Sequence, residues 1–258
     1  ARPEKIGISC GGPLDSRNGI ILGPPNLPGW DEVHISERIS RHFGVPALLQ
    51  NDANACAVAE WKFGAGRGAD NMVFLTFGTG LGAGLILNGR LYTGTNDNAG
   101  EAGHIRLERF GPVGYGKAGS FEGFCSGGGI AKLGCSMALE ALQSGRQPAY
   151  FKKGMNASDV TAKAIAEAAD AGDETAINVY RVCGEHLGEG LSVLIDILNP
   201  EKIVIGSVFA RSEHLLRKYA EEVIVREALP QAAKCCKIVP AELGEKIGDY
   251  AAIATALL

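Results

Sequence analysis

The chain has 258 residues, of which 46% are hydrophobic and 21% charged, and a formal net charge of −4. This is an ordinary globular composition, with enough apolar material for one large domain or two modest ones. No basic stripe supports nucleic-acid binding through this chain, and no apolar run approaches the length of a membrane span. The opening residues do not read as a secretory signal. Seven cysteines, an odd number without regular spacing, point to reduced thiols in a cytoplasm. The glycines number 36 and are concentrated before Gly129. The first half is therefore expected to be rich in turns and strands, and the second half helical.

In chain order, residues 5–10 alternate and are β-branched enough for a strand, which runs into a Gly11-Gly12-Pro13 turn. Residues 19–22 form a short second strand. The three prolines of GPPNLPGW, residues 23–30, exclude a helix there. That segment is either a rigid connection or a pocket wall offering Asn26 and Trp30 to a ligand. Residues 31–43 read as an amphipathic helix ended by Gly44, and 45–50 as a strand. Asn51-Asp52-Ala53-Asn54 caps a helix to about Phe63. Asp52 is then a helix N-cap, or a carboxylate at the C-terminal end of a strand, where open α/β sheets place ligands. Ala53, Ala55, Ala57 and Ala59 keep this helix slim for close packing on a sheet.

Residues 72–77 read as a buried strand followed by Gly78-Thr79-Gly80, a turn whose backbone can approach a phosphate closely. Glu101 and His104 sit three apart in a glycine-rich loop, and Glu122 follows. Each of these has a plainer reading as solvated loop chemistry. Helices are expected at 127–143, from Ser158 or Asp159 to 171, at 173–198, 211–226 and 248–258, with strands at 202–205 and 237–240. Gly184, Gly188 and Gly190 suggest close helix packing inside the longest of these. The alternation argues for a mostly parallel sheet with helices packed on it.

Taken in order, SCGGP, PNLPGW, NDAN, LTFGTGLGAGLILNGRLYTG, GEAGH, SFE, LNPE, IVIGS and GDYAAIATA resemble the ROK family of sugar kinases and related repressors over nearly the whole chain. The resemblance implies an α/β, actin-like fold of two ribonuclease-H-like lobes with a cleft between them. The smaller lobe is expected from residues 1–105 plus a C-terminal helix at 246–258, and the larger from 106–245. It implies transfer of the ATP γ-phosphate to a hexose or N-acetylhexosamine, with Mg²⁺. Asp52 would be the general base. Asn26, Asn51, Glu101, His104 and Glu122 would hold the sugar. Gly78, Thr79 and Gly80 would cradle the phosphates, and Gly206 and Ser207 would approach the adenosine. The resemblance and the apolar stretch at 173–198 also suggest a homodimer. Its second implication is a sugar-binding protein without catalysis, a repressor effector domain or a pseudokinase.

Two departures from the family pattern stand out. The family binds a structural zinc through the E-x-G-H histidine and three cysteines. Those cysteines correspond here to Val113, Tyr115 and Ser120. No zinc is expected, because a lone histidine cannot hold one. Packing through Tyr115 and Phe121 is expected to hold the loop instead. The family also begins with an Asp-x-Gly-Gly-Thr hairpin, which is absent from this sequence. The piece missing relative to the family is about three strands and a helix, roughly 50 residues; either the sequence is a fragment or the protein is a shortened homologue. The first lobe is thus expected to be truncated, with impaired turnover.

Overall fold

The computed structural model describes residues 3–152 and 154–258. The first strand, β1 (Ile6–Cys10), pairs in parallel with β4 (Ala47–Asn51). Between them lie a short hairpin, β2 (Leu14–Asp15) with β3 (Ile20–Ile21), and the helix α1 (Ile35–Phe43). Leu14, Ile21 and Leu49 form a small core here, with Ile8, Val33 and Ile35 against it. Helix α1 starts four residues later than the pattern predicts. Val33 bridges Ile21 as an added strand contact, and Glu32 has a φ of 54, so the backbone cannot enter the helix earlier.

After α2 (Asp52–Phe63) comes the main sheet, ordered β11-β10-β5-β6-β7. Its strands are β5 (Met72–Leu75), β6 (Ala83–Leu87), β7 (Arg90–Tyr92), β10 (Lys202–Ile205) and β11 (Lys237–Pro240). β10 pairs in parallel with β5 and β11, while β5–β6 and β6–β7 are antiparallel. The sheet is therefore mixed, not mostly parallel. The cause is local: Asn88 and Gly89 both have positive φ, 53 and 69, and close a two-residue hairpin that folds β7 back on β6.

The period of two sorts the sheet's side chains onto two faces. Val73, Leu75, Ile203 and Ile205 enter the large core. That core is covered by α4 (Gly127–Gln143), α5 (Ala162–Asp170), α6 (Glu174–Leu198) and α7 (Val208–Glu227). Met72, Phe74, Ile86 and Val204 enter a second core with α2 and α9 (Ile247–Ala256). Gly84 permits this closeness, since a Cβ there would lie 2.5 Å from Ala57 Cβ. Helix α9 also packs on β1, where a Cβ on Gly7 would sit 1.9 Å from the Ala252 carbonyl oxygen. Helices α2 and α9 are thus sandwiched between the two sheets.

The boundary expected at 105/106 falls between strands of one sheet. Strands β5 to β7 hydrogen-bond into one sheet with β10 and β11, because the apolar face of β5 needs β10 beside it. The long helix α6 is an internal spine. A Cβ at Gly188 would lie 2.6 Å from the Ala220 carbonyl oxygen on α7, and one at Gly190 2.3 Å from the Phe121 ring. Much of its apolar length is used inside the chain, while Ile177 and Ile197 remain exposed. The short elements β8 (Val113–Gly114), β9 (Lys117–Ala118), α3 (Phe121–Phe124) and α8 (Pro230–Cys235) complete the fold.

Candidate functional site

A cleft of about 740 Å³ opens between the two sheets. Its walls come from Gly11 to Leu14, Pro25 and Asn26, the β4–α2 junction, the loop 76–83, the loop 97–104, Tyr115 and Glu122. Asn26, Asn51, Asp52, Glu101, His104 and Glu122 all line it, as do Gly78, Thr79 and Gly80. These residues are far apart in sequence and meet only here. Gly206 and Ser207 are not on its wall. They sit behind the glycine loop, with Ser207 Oγ 3.8 Å from a Cβ position on Gly78.

Asp52 occupies the first turn of α2, but it is not the cap. Asn51 is: its Oδ1 accepts from the amides of Ala53 at 3.0 Å and Asn54 at 3.4 Å. Asp52 Oδ1 accepts from Ala53 N at 2.8 Å. Its Oδ2 has no hydrogen-bond partner among the described residues and faces Gly11, 4.0 Å from a Cβ position there. A carboxylate at a helix N-terminus is stabilised by the unpaired N–H groups of the first turn. Capping by Asn51 therefore leaves Asp52 with one exposed oxygen in the cleft.

The glycine loop joins β5 to β6. Its base is closed by Thr76 N to the Gly82 carbonyl at 3.0 Å and by Gly82 N to Thr76 Oγ1 at 2.9 Å. From behind, Gly127 N and Gly128 N at the start of α4 donate to the carbonyls of Gly78 and Thr79, at 2.7 and 3.3 Å. A Cβ on Gly127 would sit 3.1 Å from the Gly78 oxygen, so glycine lets the helix end come this close. The loop's carbonyls are thus used up inward. The amides of Thr79 and Gly80 have no partner among the described residues. Unpaired N–H groups backed by a helix N-terminus suit an anion such as a phosphate.

Glu122 lies on α3, capped by Ser120 Oγ accepting from Gly123 N at 3.1 Å. Its Oε2 accepts from Leu81 N at 3.0 Å, so one oxygen fastens the glycine loop. Residues Ala102–His104 form a single 3₁₀ turn, with His104 N on the Glu101 carbonyl at 3.1 Å. Gly103 seats this turn on the loop, for a Cβ there would be 2.1 Å from the Leu81 carbonyl oxygen. The turn presents Glu101 and His104, both exposed, to the cleft.

Sequence reasoning passed over Asp97, Asn98 and Thr76 as lining residues, and Tyr115 as well. Asp97 accepts from both Ser16 N and Ser16 Oγ at 2.8 Å and has a φ of 61. It ties the loop after β7 to the β2–β3 hairpin across the cleft mouth. The only sequence signal was a run of polar residues, Asn96 to Asn98, between glycines.

Tyr115 does not pack to hold its loop: it is 76% exposed. Phe121 does, being fully buried. The rest of the loop is held by polar contacts. Arg106 Nη1 donates to the Ala118 carbonyl at 2.6 Å, Lys117 Nζ to that of His104 at 2.7 Å and Lys132 Nζ to that of Val113 at 2.6 Å. Val113 offers no donor atom, and the buried Ser120 hydroxyl already caps α3. These residues do not fit a structural zinc.

The order of these elements, with a cleft between two sheets, defines an actin-like ATPase fold, and it matches solved ROK sugar kinase structures. Residues 2–257 match the ROK family as a whole. The chain belongs to the ROK family. It is 34% identical to a glucokinase of Halalkalibacterium halodurans over 252 residues, covering 96% of this chain and 75% of that one. It is 30% identical to the DNA-binding transcriptional dual regulator NagC of Escherichia coli over 258 residues, covering 98% of this chain and 61% of NagC. The solved ROK family glucokinase of Streptomyces griseus, in complex with glucose and AMPPNP, superposes with a TM-score of 0.78 at 28% identity. That match covers 98% of this chain and 80% of the other.

Proposed function

We propose that this chain binds a hexose or N-acetylhexosamine in the cleft and transfers the γ-phosphoryl group of ATP to one of its hydroxyls. The observation that carries this reading is the meeting of two features in one cleft. The unpartnered Asp52 Oδ2 and the unpartnered amides of Thr79 and Gly80 line the same cavity. Asp52 would accept the hydroxyl proton as the oxygen attacks. Asn26, Asn51 Nδ2, Glu101, His104 and the remaining oxygen of Glu122 would pair with the other hydroxyls, which are costly to bury unpaired. Thr79 and Gly80 would hold phosphate oxygens, with Gly206 and Ser207 on the nucleotide side of the same loop. Mg²⁺, bound with the nucleotide, would supply charge neutralisation at the transferring phosphoryl group.

Resemblance to the glucokinases supports the kinase reading. All seven cysteines are free, in keeping with a reducing, cytoplasmic setting. Among the described residues no helix is long and apolar enough to cross a membrane. Similarity to NagC over 98% of the chain favours one other reading, a sugar-sensing domain without catalysis.

The test is ATP consumption with glucose, fructose, mannose, N-acetylglucosamine and N-acetylmannosamine, alongside sugar binding by calorimetry. Asp52→Asn keeps the size and the Ala53 hydrogen bond but cannot take a proton. It should lower turnover by about 10²–10⁴-fold and leave sugar affinity nearly unchanged. Sugar binding without ATP consumption, both in this chain and in a version with an Asp-x-Gly-Gly-Thr hairpin restored ahead of it, would instead favour the sensor reading.

A further inference from the structure

Strands β8 and β9 pair antiparallel through Gly114 and Lys117, so Tyr115 and Gly116 form a two-residue turn. Both turn residues have positive φ, 39 and 75. This is the pattern of a type I′ hairpin, which favours Asn, Asp or Gly at its first central position because a Cβ is crowded there. The β6–β7 hairpin follows that preference with Asn88–Gly89. A tyrosine in this conformation is an outlier for a bulky side chain.

Nothing in the packing compensates for it. The tyrosine ring is 76% exposed. It stands on the wall of the cleft, edge-on to His104, with ring centroids 6.5 Å apart and planes at 75°. The hairpin around it is tethered, since Lys132 holds the Val113 carbonyl and Lys117 holds that of His104. A strained residue that persists without a packing return is drawn from those that serve a site. Aromatic side chains left open in a polar cleft are characteristic of ligand walls.

We propose that Tyr115 contacts the substrate, its ring lying against the C–H face of a pyranose held between Asp52 and His104. This inference rests on the proposed sugar site. The polar residues of the cleft satisfy hydroxyls, and its other apolar lining, Pro13, Leu14, Pro25, Leu81 and alanines, has no flat ring to set against the C–H face of a sugar. Tyr115 supplies that surface, in the loop segment where the family's cysteine pattern is missing. The ring, not the hydroxyl, carries the contact.

The experiment compares the parent with Tyr115→Phe, Tyr115→Ala and Tyr115→Asn. Affinity for the five sugars named above is measured by calorimetry, and Tm in their absence. Tyr115→Phe should bind within twofold of the parent. Tyr115→Ala and Tyr115→Asn should bind about 3–10-fold more weakly, the range expected for one lost ring contact. Tyr115→Asn should also melt about 2–4 °C higher, because asparagine relieves the turn. Where turnover is measurable, KM should follow affinity while kcat stays within twofold. A merely structural tyrosine could not yield a more stable protein that binds sugar less well. Unchanged affinity in Tyr115→Asn overturns the inference, and so does a loss in Tyr115→Phe equal to that in Tyr115→Ala. A parent that binds none of the sugars overturns both this inference and the sugar-site reading. A parent that binds, with variants that bind equally, overturns this inference alone.

Discussion

Glu60 is fully buried near the C-terminal end of α2, opposite the end that carries Asp52. Its Oε2 accepts from Ala65 N at 2.8 Å and Glu242 N at 3.2 Å, and its Oε1 from Leu243 N at 2.9 Å. One carboxylate thus fixes the turn after α2 and the loop after β11, 182 residues away. Gly64 stands where it does because a Cβ there would meet Glu60 Oε2 at 2.0 Å. Glu60→Gln keeps the shape but turns an NH₂ toward an amide donor, so at least one charge-assisted bond is lost, worth about 1.5–3 kcal/mol. Glu60→Ala leaves three part-buried N–H groups unpaired. Their summed loss is offset in part by the desolvation the carboxylate no longer suffers, leaving a net cost of about 3–5 kcal/mol. A domain of ordinary stability has only about 5–15 kcal/mol in total. At about 2–4 °C per kcal/mol, the expected fall in Tm is about 3–12 °C for glutamine and about 6–20 °C for alanine. Thermal unfolding and urea midpoints measure it. An alanine variant melting within about 1 °C of the parent, with the same urea midpoint, would refute the reasoning.

Two further outcomes are expected. Asp97→Gly with Ser16→Ala should be non-additive in sugar affinity, with a coupling of about 1 kcal/mol, since both remove the Ser16 Oγ–Asp97 hydrogen bond, while the bond from the Ser16 backbone amide is lost only with Asp97. Glycine is chosen at 97 because it tolerates the φ of 61. Additive losses would show that the clasp is not a unit. Burial, and then the carboxylates of Asp52 and Glu60, push the Cys56 thiol up to about 12. Its thiolate fraction therefore stays negligible at pH 8 and rises only as the pH nears that value. Alkylation followed by mass spectrometry should label the exposed Cys235 first and spare Cys56 and the fully buried Cys125 and Cys183. Labelling of Cys56 as fast as Cys235 would contradict the burial argument.

The sequence by itself determined the elements that local chemistry controls. Helix α4 and strands β10 and β11 fall where the pattern puts them, because apolar periodicity and glycine or serine boundaries act within a few residues. Motif order alone sufficed for the family, and it named nine of the residues that line the cleft. Tertiary structure decided what depends on distant partners. The main sheet joins β5, β6 and β7 to β10, some 130 positions after β5, which supplies the hydrogen-bond partners along β5. The cap at the start of α2 went to Asn51 rather than Asp52, a choice of one residue that φ and ψ make and composition does not. Glu122 spends one oxygen on Leu81, and Asp97 reaches Ser16, through contacts 41 and 81 residues apart. Tyr115 shows the limit most clearly. As a residue type it reads as core, and only its backbone conformation and its place on the cleft wall set it apart. Whether a side chain fills a core or faces a ligand depends on which surfaces the rest of the chain has already covered.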